Sequence, residues 1–593
     1  MKSCLKWLAN QKTALVPVLI AGFPEECFDS MRPGLQSFGF DLRFSTNLSR
    51  KLSNYKMIIL PTNFDLFDDS IVSDLKNFIK EGGSIATFHF PDNNNSFYFP
   101  INQILSRFGL AYTFCKTAQQ PFIISLCKDF ETVYSHHFIP QIEKLKQIIT
   151  SDTPEDSPEL CSTAIGIQYM NYGATKSQIQ QLTDISEMCI GYLKKSGSQI
   201  FDKSFTANYL LSGILLDIFP KLPPEAVTPF PGYELFPGQC GDVELADFSM
   251  KLNISNETWT STGLYLPAGK VSIVECDPSD FLNLQIGAHH ESLALKQPPW
   301  KRWPSIVFAF SLNKDTTDVV SPFGGPVYIA TSQLQSGQKT LDFTFKGFVK
   351  YPRVVYGDPS IWESTKDIDV PIGEIQCENV IFTLPTSYMK DLDFDKIFDV
   401  IGKLIREIAT FLSYEINDPL RVVFDIDLPE DAPGCGYPIV FPISEITQIL
   451  GSIDKPNASL LTLSNLIGIF MIREGCFDSV IETTLATLAS AVAFSKLYKD
   501  FNPMPITLKT QQLFFELWNI YNSGNGDIIQ KTLKKYQNKD YEIVGVPEDT
   551  WLDFVQELCK NGKMDYTYFL QQARPIPLNV SISCHNFPRY EEK

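Results

Sequence analysis

The sequence predicts a multidomain chain of α/β plus β plus α class: a doubly wound α/β domain first, a central β-sandwich, and a mainly helical C-terminal region. Three observations carry that prediction. At 593 residues the chain exceeds the roughly 250 to 300 residues at which a single core stops growing. Short apolar runs alternate with amphipathic stretches before residue 91, and apolar residues recur with a period of two between residues 243 and 382. After residue 416 the spacing becomes that of helices. The composition, 44% apolar, 13% aromatic and 20% charged, excludes a disordered or fibrous chain.

Taken in order, residues 15–21, 55–61 and 84–90 read as buried parallel strands, with 71–81 as a helical crossover between the last two. Gly82-Gly83 is the expected helix stop. Residues 101–220 continue this half, interrupted by an acidic, proline-containing stretch at 150–159, and the pair His136-His137 is read as a loop feature. Pro223-Pro224, Pro229, Pro231-Gly232 and Pro237-Gly238 predict an extended connector. The expected boundaries are therefore 1–222 for the α/β domain, 223–240 for the connector, 241–400 for the β-sandwich and 401–593 for the helical region. Strands are expected at 270–274, 281–286, 306–312, 326–330 and 341–345, with turns at Gly324-Gly325 and Ser336-Gly337. Helices are expected at 442–450, 460–473, 478–497, 507–521, 549–560 and 566–573.

A formal charge of −18, from 68 acidic and 50 basic residues, argues against a nucleic-acid partner, which requires a concentrated basic face. The first twelve residues carry charge too early for the apolar core of a signal peptide, so secretion is not expected. No run approaches the roughly 18 apolar residues that span a bilayer; the most apolar, 460–472, is short and contains Ser464 and Asn465. Thirteen cysteines without a CxxC pair read as reduced, mostly buried thiols. The expected location is cytoplasmic, with any membrane association peripheral and through a partner.

Four phrases in the second half, STGLYLPAGKVSIVEC (261–276), LNLQIGAHHESL (282–293), VSPFGGPVYI (320–329) and GCGYPIVFP (434–442), in that order and spacing, resemble the enhancin-like, mucin-directed zinc peptidase domain of peptidase family M-60. They are also similar to its relatives, the TRP-melastatin channel-associated factors. The stretch FIKEGGSIATFHF (78–90) resembles a class I glutamine-amidotransferase-like domain, which those relatives also carry. That family requires a nucleophilic cysteine on a strand-to-helix elbow. Here the strand runs into Pro91-Asp92-Asn93-Asn94-Asn95, and His89 alone cannot supply the chemistry.

The resemblance implies a gluzincin-like C-terminal domain in which an active member has HExxH on a helix, with two histidines as zinc ligands, the glutamate as general base, and a downstream glutamate as third ligand. By resemblance, Ser464, Asn465 and Gly468 stand where the first histidine, the glutamate and the second histidine would be, and Glu482 falls near the third ligand. The six histidines are His89, His136, His137, His289, His290 and His585, so none lies on that helix. His290-Glu291 lacks a second histidine and reads as a structural turn. The expectation is a peptidase-like protein with HExxH absent, no catalytic residues, no zinc or other cofactor, and a protein partner. The resemblance implies a membrane channel as that partner, with an influence on its trafficking or activity. Gly436, Tyr437, Pro438 and Ile439 are the candidate strand of the former substrate groove, to which an extended ligand could add.

Two other readings stand beside it. A metallohydrolase with an unorthodox site would need Cys435 or Cys476 brought together with Glu474, Asp478 and Glu482. A glycan-binding module would use surface aromatics such as Trp259, Trp300, Trp303 and Trp362. Lys301-Arg302, beside Trp300 and Trp303, reads as a turn between sandwich strands rather than an anionic-surface tether.

Overall fold

The computed structural model describes residues 15–23, 25–45, 52–62, 69–88, 101–105, 138–150, 176–202 and 206–591, apart from 256–257, 280, 332–337, 504–510, 539–540 and 542–545 within the last span, and a few isolated residues. His89, His136, His137 and the acidic stretch after Thr150 lie outside the described residues. The chain forms two compact units, Met1–Pro223 and Pro224–Lys593.

The first unit is built on four parallel strands, β1 (Val16–Ala21), β2 (Phe40–Ser45), β3 (Met57–Pro61) and β4 (Ser84–Phe88), in the order β2-β1-β3-β4. Every residue of β3 is buried, as a parallel strand covered on both faces requires. Helix α1 (Glu25–Gln36) sets Phe28 and Leu35 against Val18, Ile20, Met57 and Ile59. Helix α2 (Asp69–Lys80) sets Val72, Leu75 and Phe78 against Leu19, Ile58 and Leu60 on the other face. The Gly82-Gly83 stop forms as expected. Gly82 is left-handed (φ +91°), and a Cβ on Gly83 would fall 2.3 Å from the Phe78 ring. Helices α3 (Phe138–Thr150), α4 (Lys176–Lys194) and α5 (Thr206–Ile218) complete the described part of this unit.

In the second unit the strands are β5 (Ala246–Ser255), β6 (Trp259–Leu266), β7 (Ser272–Cys276), β8 (Leu282–Ile286), β9 (Phe308–Ser311), β10 (Thr316–Val319), β11 (Gly325–Thr331) and β12 (Gln338–Lys350), of which β7, β8, β9, β11 and β12 fall at expected ranges. They form one eight-stranded sheet in the order β10-β7-β12-β6-β11-β8-β9, with β5 also on β12. The register of β12 breaks between Phe345 and Phe348, where Gly347 is left-handed. Its first part pairs with β5 and β7, and its end pairs with β6.

The connector expectation is corrected here. Residues 224–240 are packed into the second unit: Phe230 is fully buried and stacks on Phe323 at 4.8 Å, and Phe236 meets the ring of His289. Aromatic side chains placed between the prolines supply the burial that an extended linker lacks.

A second sheet, not anticipated from sequence, comprises β13 (Arg353–Val355), β14 (Ile372–Gln376), β15 (Val380–Pro385), β16 (Leu420–Asp425) and β17 (Ile439–Pro442), in that order, with β15, β16 and β17 mutually parallel. Helix α6 (Phe394–Leu412) spans residue 400, the expected boundary, and buries Ile397, Ile401, Leu404, Ile405 and Ile408. It packs with α7 (Ala458–Met471) and α8 (Ser479–Leu497), followed by α9 (Gln511–Ile520), α10 (Gly526–Gln537) and α11 (Pro547–Gly562). These helices and strands β14 to β17 share one core.

The expected helix at 442–450 is instead the end of β17 followed by two short helical turns. The expectation that no segment is long and apolar enough to cross a bilayer is also corrected: α8, with 19 residues, passes that test. Its residues Leu485 to Phe494 are all buried in the protein core.

Candidate functional site

Helix α7 begins at Asn457, whose side chain accepts the Leu460 amide at 2.8 Å. Its buried stripe is Leu460, Leu463, Ser464, Ile467, Gly468 and Met471, the three-and-four spacing of a helix face turned to a core. Ser464 and Gly468, the positions that the resemblance pairs with the two histidines, both lie in that stripe. The Ser464 hydroxyl donates to the Leu460 carbonyl of its own helix at 2.8 Å. At Gly468 a Cβ would lie 2.9 Å from the Ala486 Cβ, 3.0 Å from its Cα and 3.2 Å from its carbonyl oxygen. Helices α7 and α8 therefore touch backbone to backbone, and no imidazole fits between them. Asn465 is half-buried, and its side-chain oxygen has no hydrogen-bond partner.

Helix α8 is capped by Asp478, which accepts from the Val480 and Ile481 amides at 3.0 Å and from Arg574 at 2.6 Å. Glu482 sits in its first turn, half-buried, and burial, Asp478 and Glu474 hold its carboxyl above the usual range. Glu482 also faces the loop before β17. Burial pushes the Cys435 thiol up and Glu482 pushes it further, against the Gly436 amide; the thiol itself lies 3.6 Å from the Leu466 carbonyl. Cys476 is buried, with its sulfur 3.8 Å from the Tyr536 carbonyl. Cys435, Glu474, Cys476, Asp478 and Glu482 thus converge, yet Asp478 is committed to a helix cap and an arginine. Among the described residues no three His, Cys, Asp or Glu side chains are grouped to hold a metal ion. The residues present at 464, 465, 468 and 482 do not fit a catalytic zinc, which needs three donors around an open position.

The candidate groove strand begins at Ile439, with Gly436, Tyr437 and Pro438 in the turn before it. β17 is the last strand of its sheet, but its outer edge is occupied. The Val440 amide donates to the Gly434 carbonyl at 3.1 Å, and the Gly434 amide donates back at 3.0 Å. Backbone groups alternate sides along a strand, so residues 438 and 442 share that outer edge, and both are prolines without an N–H. Tyr437 turns the other way, its hydroxyl accepting the Trp259 amide at 3.1 Å.

Beneath this loop lies a buried polar joint that sequence reading missed. Arg421 on β16 donates to Glu374 on β14 at 2.5 Å, to Ser261 at 2.7 Å and to the Trp259 carbonyl at 3.2 Å, and its guanidinium lies over the Tyr328 ring. Tyr328 and Tyr351 donate to the two oxygens of Glu374, at 3.0 and 2.6 Å. Burial raises the Glu374 carboxyl, but Arg421 and Arg353 more than offset it and hold it below its ordinary value. Spacing gave no signal for this pair, because its members lie on different strands.

Lys301-Arg302 lies between β8 and β9, as expected, and its arginine forms a second buried joint that the sequence did not show. Arg302 is fully buried and grips Asp425 through two nitrogens, each at 2.8 Å. His289 lies beside it, with its imidazole 3.2 Å from the Phe424 carbonyl and pushed down to about 4 by burial. The aromatic candidates are likewise engaged. Trp303 is buried and donates to the Pro231 carbonyl, Trp300 donates to the Lys296 carbonyl, Trp259 packs on Tyr328, and Trp362 packs on Phe394.

Residues 243–344 match the family model of the N-terminal domain of M60-like peptidases. TRPM8 channel-associated factor 1 of Bos taurus is 28% identical over 206 residues, which cover 32% of this chain and 22% of the relative. TRPM8 channel-associated factor 3 of Rattus norvegicus is 23% identical over 399 residues, covering 62% of this chain and 41% of the relative. The chain thus spans well under half the length of these curated relatives. Among solved structures, IMPa from Pseudomonas aeruginosa in complex with an O-glycopeptide aligns with 99% of this chain and 83% of its own, with a TM-score of 0.55 at 12% identity, a likeness of fold. By sequence this chain is similar to the N-terminal domain of M60-like peptidases and to the TRPM8 channel-associated factors, and by fold it is similar to the IMPa metallopeptidase.

Proposed function

We propose that the chain is a peptidase-like interaction protein that does not hydrolyse peptide bonds and acts by binding a membrane protein, a channel of the TRPM8 kind being the partner that its relatives' names supply. The observation that carries this reading is the contact of Gly468 with Ala486: the face that would present two imidazoles to a zinc ion is a close helix–helix contact. The reading includes a cytoplasmic protein, peripheral at the plasma membrane through its partner and without zinc. Its N-terminal unit is an amidotransferase-like fold without a nucleophile, a reading its parallel β2-β1-β3-β4 order supports.

The test is zinc per molecule by elemental mass spectrometry, on full-length protein purified without chelators or a histidine tag, together with capture of detergent-solubilised TRPM8. Less than about a tenth of an equivalent, with saturable channel binding, is the expected result. Close to one equivalent overturns the reading, because stoichiometric zinc requires an assembled ligand set.

A further inference from the structure

We propose that the second unit holds a binding site for a small organic cation, at the opposite end of β17 from the degenerate peptidase face. The site is a cleft of about 560 Å³ lined by Ser387, Tyr388, Asp391, Leu392, Ile446 and Thr447, a volume in the range of small-molecule sites. Its place in the fold is informative. Strands β15, β16 and β17 run parallel and finish in register at Pro385, Asp425 and Pro442. One wall follows directly from the carboxyl end of β15 and the other from that of β17. The cleft thus lies outside the carboxyl ends of two parallel strands, in a sheet whose strands follow one another without the reversal of order that marks the usual ligand crevice. Glu482 and the loop at Cys435 belong to the other end of this layer, so the cleft is separate from them.

The lining selects the chemistry. Tyr388 and Leu392 supply the accessible apolar surface, with Ile446 buried in the core behind them, while the exposed Ser387, Thr447 and Asp391 supply oxygen acceptors. None of the side chains of Ser387, Tyr388, Asp391 and Thr447 has a hydrogen bond or ion pair among the described residues. Asp391 is the one formal charge in the lining, and no lysine, arginine or histidine faces the cleft. Phosphorylated and carboxylated ligands therefore have nothing to neutralise them. An ammonium group, which only donates, meets a carboxylate, two hydroxyl oxygens and an aromatic ring. Its apolar body packs against Leu392 and the Tyr388 ring.

Phenethylamine, phenylacetate and 2-phenylethanol share one shape and differ in charge, so they serve as probes in ligand-observed saturation-transfer NMR on the full chain. Phenethylamine is expected to bind saturably and about tenfold more tightly than phenylacetate, the size of effect that one partly exposed ion pair and one cation–π contact give together. Asp391→Asn, at an exposed side chain without internal partners, is expected to fold normally and to narrow the difference to about threefold, the share left to the cation–π contact. Thr447→Trp, which fills the cleft, should abolish binding of all three probes. The proposal is overturned if no probe saturates, if acid and amine bind equally, or if amine binding survives both substitutions. None of these outcomes depends on the zinc content or the channel binding of the protein.

Discussion

Replacing Gly468 with alanine tests the geometry on which the proposed non-catalytic reading rests. In an open helix the change would be stabilising by about 1 kcal/mol, because glycine is the poorer helix former. Here the new methyl group would meet Ala486 at 2.9 Å from its Cβ and 3.0 Å from its Cα. Those atoms belong to a helix backbone and cannot rotate away, so α7 and α8 must separate by several tenths of an ångström along a packed seam. Overpacking of this kind costs about 1 to 3 kcal/mol, and the larger figures apply where backbone must move. The expected net effect is a loss of about 1 to 2 kcal/mol, read as a lower urea midpoint and a melting temperature lower by a few degrees. Ala486→Gly should be destabilising alone yet milder in the Gly468→Ala background, with a coupling of about 1 kcal/mol in the double-mutant cycle. A Gly468→Ala protein as stable as the parent, or more so, would refute the reasoning, since the helices would then have room for a side chain and the ligand face would be open.

Other expectations follow from the buried charges and thiols. His289 is neutral when folded, with its imidazole at about 4, against 6.5 for an ordinary histidine. Between these values the unfolded chain binds a proton that the folded chain does not. Its contribution is therefore complete above pH 6.5 and falls by up to about 3 kcal/mol as the pH drops towards 4; His289→Gln should flatten that part of the urea-midpoint profile. Arg421→Met or Glu374→Gln strands a buried charge and should cost about 3 to 5 kcal/mol, whereas the double replacement Arg421→Met/Glu374→Leu should cost less than the single changes together. Of the described cysteines, Cys435 is the exposed one and should react first with a maleimide, more slowly than a free thiol. Glu482→Gln should accelerate that reaction. An unchanged rate would mean that Glu482 does not act on the loop.

Legibility in the sequence followed the reach of each signal. The parallel strands of the first unit, the Gly82-Gly83 stop and strands β7, β8, β11 and β12 were readable because their patterns are local. The second sheet was not, because strands buried on both faces carry no alternation: all six residues of β16 are buried, and Arg421 within it breaks the apolar run. The stripe of α6 at Ile397, Ile401, Leu404, Ile405 and Ile408, with Asp393 as its cap, was a local signal that was passed over. The burial of Arg302 within that turn was not legible because its partner, Asp425, lies 123 residues away. At the candidate site, the residues at 464, 465 and 468 could be read from the sequence, but the contact that closes the face depends on Ala486, in the next helix. The sequence of β17 suggested an open edge, whereas the edge is occupied by Gly434 and by prolines at 438 and 442.

On the proposed reading, the scaffold and the face that would have carried the ligands are separable for a physical reason. Arg421 and Glu374 join β16 and β14 to Ser261, Tyr328 and Tyr351 of the eight-stranded sheet, and neither charge can change alone without leaving its partner buried and unpaired. This joint makes no use of the side chains at 464, 468 or 482, so it holds the two sheets and the Tyr437 turn in place whether or not a metal is bound. The ligand face is under a different constraint. Deleting two imidazoles from between packed helices would leave a cavity, destabilising by about 24 cal/mol per Å³ that fails to close. A glycine opposite an alanine lets the backbones approach until the space is gone, while Ser464 satisfies its hydroxyl within its own helix. Restoring histidines at 464 and 468 would therefore require α7 and α8 to part along their length. The ligand positions and the helix spacing must change together for zinc to bind.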